Sequence, residues 1–232
     1  MVERRYINAL RYPLERTAIP KLYVVTDTII GRGRSHAEMA AAAAAGGAGI
    51  IQLRDKHLSP ADLLREAVAV REALVASGAL FVVNDSLDVA IASGADGVHL
   101  GQGDGSVMEA RAIAEAAGHG RFLIGVSVGS VEEASRAVGE GADYIALSPV
   151  FPTTSKEDAG AARGLLLLRE IRKALPFVPL VAIGGINPEN VGNVLRAGAD
   201  SVAVVSAVVG QDDMAAAAQE MRVLIENVRN PG

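Results

Sequence analysis

The sequence contains no cysteine and no tryptophan, and aromatic residues make up only 3% of the chain. Without cysteine, the protein can form neither disulfide bonds nor thiolate metal sites. Half of the 232 residues are nevertheless apolar. We therefore expect a sizeable core built from alanine, valine, leucine and isoleucine.

The sequence also lacks an excess of basic residues, since its formal net charge is -5. Proteins that bind nucleic acid or anionic lipid present clustered lysine and arginine, so we expect neither a nucleic-acid partner nor a membrane surface. The most hydrophobic stretch, MAAAAAAGGAGII, falls short of the roughly eighteen strongly apolar residues of a membrane span. The charged N-terminal segment has no signal-like apolar core. These features predict a soluble cytoplasmic protein.

Short β-branched runs alternate along the chain with longer alanine-rich segments of helical period. The motifs SGAD, EGAD and AGAD recur near the ends of the helical segments, where glycine supplies the left-handed residue that ends a helix. The pattern predicts strands at 22–27, 49–55, 80–85, 97–100, 122–128, 144–151, 179–186 and 201–208.

Eight successive βα units close most naturally into a (β/α)8 TIM barrel, which is an α/β fold. An open doubly wound sheet is the alternative, but the sequence has no obvious glycine-rich dinucleotide fingerprint. No linker divides the chain. We therefore expect one barrel domain over residues 21–232, preceded by an N-terminal extension over residues 1–20 that packs outside the barrel or across its N-terminal face.

Polar residues at the carboxyl ends of the strands are the candidates for an active site, because barrel enzymes place their sites there. Strand two ends in QLRDK, so Gln52, Arg54 and Lys56 share one side of the strand. Two cations and an amide at the end of a central strand favour an anion site. The alternative is a surface salt-bridge ladder with Asp55.

A metal site is the second expectation at this end of the barrel. Asp85 follows strand three, and Asp104 lies a short loop beyond strand four. Mg²⁺ takes a few carboxylates and completes its shell with water and substrate phosphate oxygens. Taken alone, these aspartates also fit turn or cap positions. His99 has no second histidine at metal spacing and is interpreted as a structural residue.

The segment SPVFPTTSK after strand six sets out the hydroxyls of Thr153, Thr154 and Ser155 beside Lys156. Two prolines keep it extended. Hydroxyl donors and an ammonium group suit a phosphate. The alternative is a polar surface loop.

A phosphate cradle is expected after strands seven and eight, the usual position in this architecture. Gly184 and Gly185 allow backbone N–H groups to approach a ligand, and strand eight ends in VAVVS, with Val205 and Ser206 entering the last crossover. Ser127 ends strand five. Apolar strand ends with a capping serine are the alternative for Val205 and Ser206.

Together these segments resemble the thiamine phosphate synthase family. The resemblance runs from about residue 21 to 210 through TD, QLRDK, ND, DGVHLGQGD, IGVS, FPTTSK, AIGGI and GADSVAVVS in the family's order. It implies a Mg²⁺-dependent barrel transferase that joins 4-amino-5-hydroxymethyl-2-methylpyrimidine diphosphate to a thiazole phosphate. The products are thiamine phosphate and pyrophosphate. In this family pyrophosphate is thought to leave first.

The resemblance also implies roles for individual residues. Asp85 and Asp104 would hold the Mg²⁺ ion, and Ser127 would lie beside the reacting pyrimidine. Lys156 would contact the diphosphate, and with Ser127 it is the candidate catalytic residue. The pyrimidine diphosphate would be held by Gln52, Arg54, Lys56 and Asn84, and the thiazole phosphate by Thr153, Thr154, Ser155, Gly185, Val205 and Ser206.

Two departures from the family pattern stand out. Ser155 replaces the second threonine of the usual FPTxTK motif, which keeps the hydroxyl. Gly129 stands where relatives often carry a histidine. Related thiazole tautomerases are thought to use that histidine for proton transfer, so Gly129 counts against a tautomerase-like isomerase. A non-catalytic phosphate-binding barrel is a further alternative, and the sequence leaves open whether the chain forms a homo-oligomer.

Overall fold

The structure is a computed structural model that describes residues 18–155 and 160–229. Strands and helices alternate through these residues. The strands are β1 (Leu22–Thr26), β2 (Ile50–Leu53), β3 (Leu80–Asn84), β4 (Gly97–Leu100), β5 (Leu123–Val128), β6 (Tyr144–Leu147), β7 (Leu180–Ile183) and β8 (Ser201–Val204). The helices are α1 (His36–Ala45), α2 (Pro60–Ala73), α3 (Leu87–Ala92), α4 (Val107–Ala116), α5 (Val131–Gly139), α6 (Gly164–Ala174), α7 (Val191–Arg196) and α8 (Met214–Arg229).

The strands form a closed parallel barrel in chain order. Each strand pairs with the next, and β8 returns to pair with β1, with Leu22 opposite Val202. The predicted (β/α)8 fold is therefore confirmed.

Local sequence signals start the first two helices. Ser35 and Glu38 form a reciprocal capping box at the N-terminus of α1. Ser59 caps α2 and is followed by Pro60, whose missing N–H is not needed in the first turn. The helices therefore begin immediately after the loops that carry the strand-end polar residues.

β2 ends two residues before its predicted end, and the predicted bounds of the last three strands were wrong at their carboxyl ends. The apolar runs continue beyond these strands, but Pro149 has no N–H to offer a ladder, and Gly184 has a φ of 102°. After β8 the chain turns, and Val208 N donates to Val205 O over 3.0 Å. Each of these segments therefore leaves the barrel wall early and forms part of the rim.

Two groups of buried residues stabilise the barrel. The larger lies between strands and helices and is mostly aliphatic, as expected. The smaller fills the barrel interior and includes Ile19, Tyr23 and Tyr144. The composition did not predict that the few tyrosines would lie there. Ile19 belongs to the short described part of the N-terminal extension, whose residues 1–17 lie outside the described residues.

The repeated GAD motifs have one structural role at the N-terminal end of the barrel. In each motif the glycine has a positive φ, as predicted for the residue that ends a helix. The aspartate then exchanges two hydrogen bonds with a residue near the start of the preceding strand, accepting from its N–H and donating to its carbonyl: Asp96 with Phe81, Asp143 with Ile124, and Asp200 with Leu180. The motifs therefore join successive strands where the ladder begins.

No helix among residues 18–155 and 160–229 is long and apolar enough to cross a membrane.

Replacing Asp200 with alanine tests this role. Asp200 is 2% exposed, accepts from Leu180 N over 3.0 Å and pairs with Arg172. Its removal leaves a largely buried cation and an N–H group without this acceptor, so Asp200→Ala should lower the free energy of unfolding by about 3 kcal/mol. Asp88→Ala, at an exposed position in the first turn of α3, should cost about 0.5 kcal/mol or less. Equal losses of unfolding free energy in the two variants, measured by urea unfolding, would contradict this structural role of Asp200.

Candidate active site

A cavity of about 300 Å³ opens at the carboxyl ends of the strands. It brings together most of the residues that the sequence predicted for the site. Its walls include Gln52, Arg54, Lys56, Asn84, Asp85, Asp104, Ser127, Thr153, Ser155, Gly185, Val205 and Ser206. Thr154 lines two neighbouring grooves instead. Lys156 lies outside the described residues.

The cationic side of the cavity comes from β2 and the loop after it. Gln52, Arg54 and Lys56 all face the cavity, as their alternate spacing predicts. Arg54 Nη1 lies 3.3 Å from Asp27 Oδ2, and the other oxygen of Asp27 accepts from the N–H groups of Ile29 and Ile30. Asp27 thus holds Arg54 against the loop after β1. The sequence analysis noted the TD motif but gave Asp27 no role.

Asp55 points away from this cationic side. It lies 3.3 Å from His36 Nε2 on α1, and its other oxygen accepts from His57 N. Burial alone would raise the pKa of Asp55, but these hydrogen bonds and the nearby imidazole lower it below its ordinary value. The alternative of a salt-bridge ladder with Arg54 and Lys56 is therefore wrong, because Asp55 serves to fix the loop after β2 to α1.

Asp85 and Asp104 lie on the wall next to the cationic side. Asp85 adopts a φ of 62°, a left-handed geometry that aspartate tolerates, and its N–H donates to His99 O over 2.8 Å. Asp104 is exposed and accepts from Gly101 N over 2.7 Å. Among the described residues, no group of three or more histidines or carboxylates could hold a metal. Two carboxylates beside cavity space fit an ion that keeps waters and takes phosphate oxygens, as Mg²⁺ does.

The opposite wall is made by the loops after β6, β7 and β8. Gly184 and Gly185 have φ values of 102° and 64°, and the segment after β6 lies directly against them. Phe151 N donates to Gly184 O over 3.0 Å. Within the described part of the chain, the N–H groups of Gly185 and Ser206 have no hydrogen-bond acceptor. Two free N–H groups beside the hydroxyls of Thr153 and Ser155 can bind a phosphate.

The floor of the cavity was not predicted. Ring and aliphatic side chains from the strands line it, namely Tyr23, Val25, Ala146, Val181, Ile183 and Ala203. Their alternate positions on β1, β6, β7 and β8 place them inside the barrel, which is the signal that could have found them. An apolar floor between two polar walls suits a flat aromatic ligand. His99 is buried with both ring nitrogens hydrogen-bonded, consistent with a structural histidine.

Gly129 faces a cation. A Cβ atom at this position would lie 2.9 Å from Nη2 of Arg163, and the N–H of Gly129 donates to Glu133 Oε2 over 2.6 Å. A larger side chain here would have to displace this guanidinium group, which is the far end of an exposed arginine.

Comparison with known proteins agrees with this geometry. The family described as thiamine monophosphate synthase matches residues 22–208. The chain belongs to this family. The thiamine-phosphate synthase of Methanoculleus marisnigri is 60% identical over 211 residues, which cover 91% of this chain and 98% of that protein. The thiamine-phosphate synthase of Methanoregula boonei is 56% identical over 208 residues, covering 90% of this chain and 94% of the relative.

Solved structures show the same likeness. Thiamine phosphate pyrophosphorylase from Pyrococcus furiosus superposes with a TM-score of 0.81 at 40% identity, covering 90% of this chain and 97% of that one. A 3-hexulose-6-phosphate synthase superposes with a TM-score of 0.67 at 22% identity, covering 88% and 99%, and shares the fold alone. The family resemblance seen in the motifs is confirmed, whereas the roles of the individual site residues stay predictions.

The contact between Gly185 and the loop after β6 can be tested with two alanine variants. A Cβ atom at Gly185 would lie 2.5 Å from Pro152 O, whereas at Gly94, with a φ of 67°, it would meet nothing within 4 Å. Both substitutions should cost about 1–2 kcal/mol of strain from the positive φ. Only Gly185→Ala should also displace the loop and weaken binding of inorganic phosphate. Equal phosphate affinity in the two variants, measured by calorimetry, would rule out this cradle.

Proposed function

We propose that this chain is a thiamine-phosphate synthase. It would join 4-amino-5-hydroxymethyl-2-methylpyrimidine diphosphate to 4-methyl-5-(2-phosphooxyethyl)thiazole. The bond from the pyrimidine CH₂ group to the diphosphate oxygen breaks, and a bond from that CH₂ group to the thiazole nitrogen forms. The products are thiamine phosphate and pyrophosphate, and no other reactant is needed to balance the reaction.

The observation that supports this proposal is that two walls of one cavity each carry groups suited to binding an anion. One wall presents Arg54 and Lys56, and the other presents the N–H group of Gly185 with nearby hydroxyls. An enzyme that joins a diphosphate to a monophosphate ester needs both. The apolar floor between the walls can hold the two rings, with the reacting atoms near Ser127.

The reaction places few demands on acid–base chemistry. The thiazole nitrogen attacks with a lone pair that is already free, so no strong base is required. The site must stabilise negative charge as the diphosphate departs and hold the nucleophile in line. Arg54, Lys56 and Asn84 supply donors for the departing anion, and Lys156 would add a further charge. Loss of pyrophosphate before attack of the thiazole, a dissociative course, fits this set of residues.

Magnesium is part of the proposal. Asp85 and Asp104 would hold the ion through their carboxylates, with the substrate diphosphate and water completing its shell. Bound there, Mg²⁺ supplies positive charge that stabilises the leaving pyrophosphate. The residues of the chain still have to position both substrates.

No observation favours the two alternatives. A tautomerase needs a proton-transfer group but no diphosphate site, and Gly129 has no side chain to supply that group. A non-catalytic phosphate-binding barrel would need only one of the two walls.

A direct assay tests the proposal. With the pyrimidine diphosphate, the thiazole phosphate and Mg²⁺ together, pyrophosphate should be released in a one-to-one ratio to thiamine phosphate. Omitting the thiazole phosphate should abolish thiamine phosphate formation. Pyrophosphate release at the background rate with all three components present would reject the assignment.

Aspartate-to-asparagine variants test the shared metal site. Asp85→Asn and Asp104→Asn keep the side-chain shape but each removes one negative charge, so each should lower turnover by about a hundredfold or more at limiting Mg²⁺. Because both carboxylates would serve one ion, the double variant should lose much less than the product of the two single losses.

Asp88→Asn provides the matched control, since it removes the same charge from an exposed position on α3. Calorimetry should also find that Mg²⁺ and inorganic pyrophosphate each tighten binding of the other. Fully multiplicative losses, or normal turnover of either single variant at limiting Mg²⁺, would contradict a shared ion.

A further inference from the structure

Five side chains form a continuous chain of hydrogen bonds across the interior of the barrel, from Gln52 on β2 to Ser127 on β5. The linked pairs are Gln52 Nε2 with Tyr23 OH at 2.7 Å, Tyr23 OH with Tyr144 OH at 3.1 Å, Tyr144 OH with His99 Nδ1 at 3.1 Å, and His99 Nε2 with Ser127 Oγ at 2.9 Å. Both ends line the cavity. The chain therefore connects two separate points of the candidate site.

The middle of the chain is held firmly. Tyr23 and Tyr144 are 2% and 1% exposed, and their rings meet edge to face with centroids 6.3 Å apart. Gly125 on the neighbouring strand makes room for Tyr144, because a Cβ atom there would lie 2.0 Å from Cζ of the ring. Burial raises the pKa of both phenols, and for Tyr144 the nearby Tyr23 raises it further, so both keep their protons.

When each phenol proton is used within the chain, the direction of every link follows from the orientation of the Gln52 amide. The amide nitrogen of Gln52 can only donate, so the oxygen of Tyr23 accepts and its single proton goes to Tyr144. Tyr144 must then donate to Nδ1 of His99. The neutral imidazole therefore carries its proton on Nε2 and donates to Ser127 Oγ. The amide oxygen and second N–H group of Gln52 and the hydroxyl proton of Ser127 are left for the cavity.

The hydrogen bonds of the chain can also all run in the opposite direction. If the Gln52 amide turns over, Tyr23 donates to its oxygen, Tyr144 donates to Tyr23, and His99 donates from Nδ1 to Tyr144. Ser127 must then donate to Nε2. In this arrangement Gln52 offers N–H donors to the cavity and Ser127 offers only an acceptor. A change at one end therefore requires a change at the other.

We infer that Tyr23, Tyr144 and His99 are positioning residues that couple Gln52 to Ser127, so that a free acceptor on Gln52 goes together with a free donor on Ser127. With the amide nitrogen of Gln52 on Tyr23, as in the structure, Gln52 offers its oxygen and one N–H group, and Ser127 offers a donor. The matching ligand is a flat heteroaromatic ring that presents an amino group to Gln52 and an acceptor to Ser127. This inference rests on the proposed function, because it assigns the recognition of an aminopyrimidine to the chain of hydrogen bonds.

Nitrogen NMR of the histidine rings in the ligand-free protein tests the coupling. The sequence has four histidines, and the signals of His99 can be assigned from their loss in His99→Asn. The unaltered protein should show the Nε2–H tautomer at His99. The Nδ1–H tautomer or an imidazolium would overturn the inference. This measurement is made on the unaltered protein and needs no variant other than His99→Asn.

Gln52→Glu then tests whether the two ends communicate. In mildly alkaline buffer the carboxylate can only accept, so the chain must reverse and His99 should change to the Nδ1–H tautomer. Tyr23→Phe breaks the chain near its start. In the Tyr23→Phe background, Gln52→Glu should leave the His99 tautomer unchanged.

An unchanged His99 tautomer in Gln52→Glu would overturn the inference. A change that persists without the Tyr23 hydroxyl would also overturn it, because the new charge would then act through space. The measurement uses no substrate. Failure of the coupling is therefore distinguishable from failure of the synthase assignment, which the pyrophosphate assay decides independently.

Discussion

Parallel pairing of β8 with β1 closes the sheet and directs the carboxyl ends of all eight strands to one rim. Short strands leave little ladder to set the register, so the N-terminal end carries additional connections. Asp96, Asp143 and Asp200 each exchange two hydrogen bonds with a preceding strand there. These connections lie at the end of the barrel opposite the rim that carries the glycine-rich loops and exposed donors of the candidate site.

Much of this arrangement could be predicted from the sequence. β4 was predicted at its observed bounds, because glycine and a polar turn flank a short apolar run. The cationic wall was predicted from side-chain alternation along strand two, although Arg54 and Lys56 lie just beyond its observed end at Leu53. The ends of β6, β7 and β8 could not be predicted in the same way, because apolar residues continue into segments whose backbone turns at a proline or a glycine with positive φ. In those segments local geometry overrides the apolar pattern.

Contacts between distant parts of the chain were beyond the reach of local patterns. Tyr23 and Tyr144 are 121 residues apart, and their hydroxyls meet only because barrel closure brings β1 and β6 to face each other. Likewise, the contact between Gly129 and Arg163 joins two segments that no single motif contains. The sequence predicted which residues reach the rim, whereas the buried hydrogen bonds beneath it needed the three-dimensional structure.

The proposed chemistry depends on two anions being held at opposite walls of one cavity, with an apolar floor between them. A crystal structure with both products and Mn²⁺ in place of Mg²⁺ tests this most directly. Pyrophosphate should lie against Arg54 and Asn84, the phosphate of thiamine phosphate against Gly185 and Ser206, and the anomalous signal of Mn²⁺ between Asp85 and Asp104. Pyrophosphate at the Gly185 wall, or Mn²⁺ away from both carboxylates, would contradict the account.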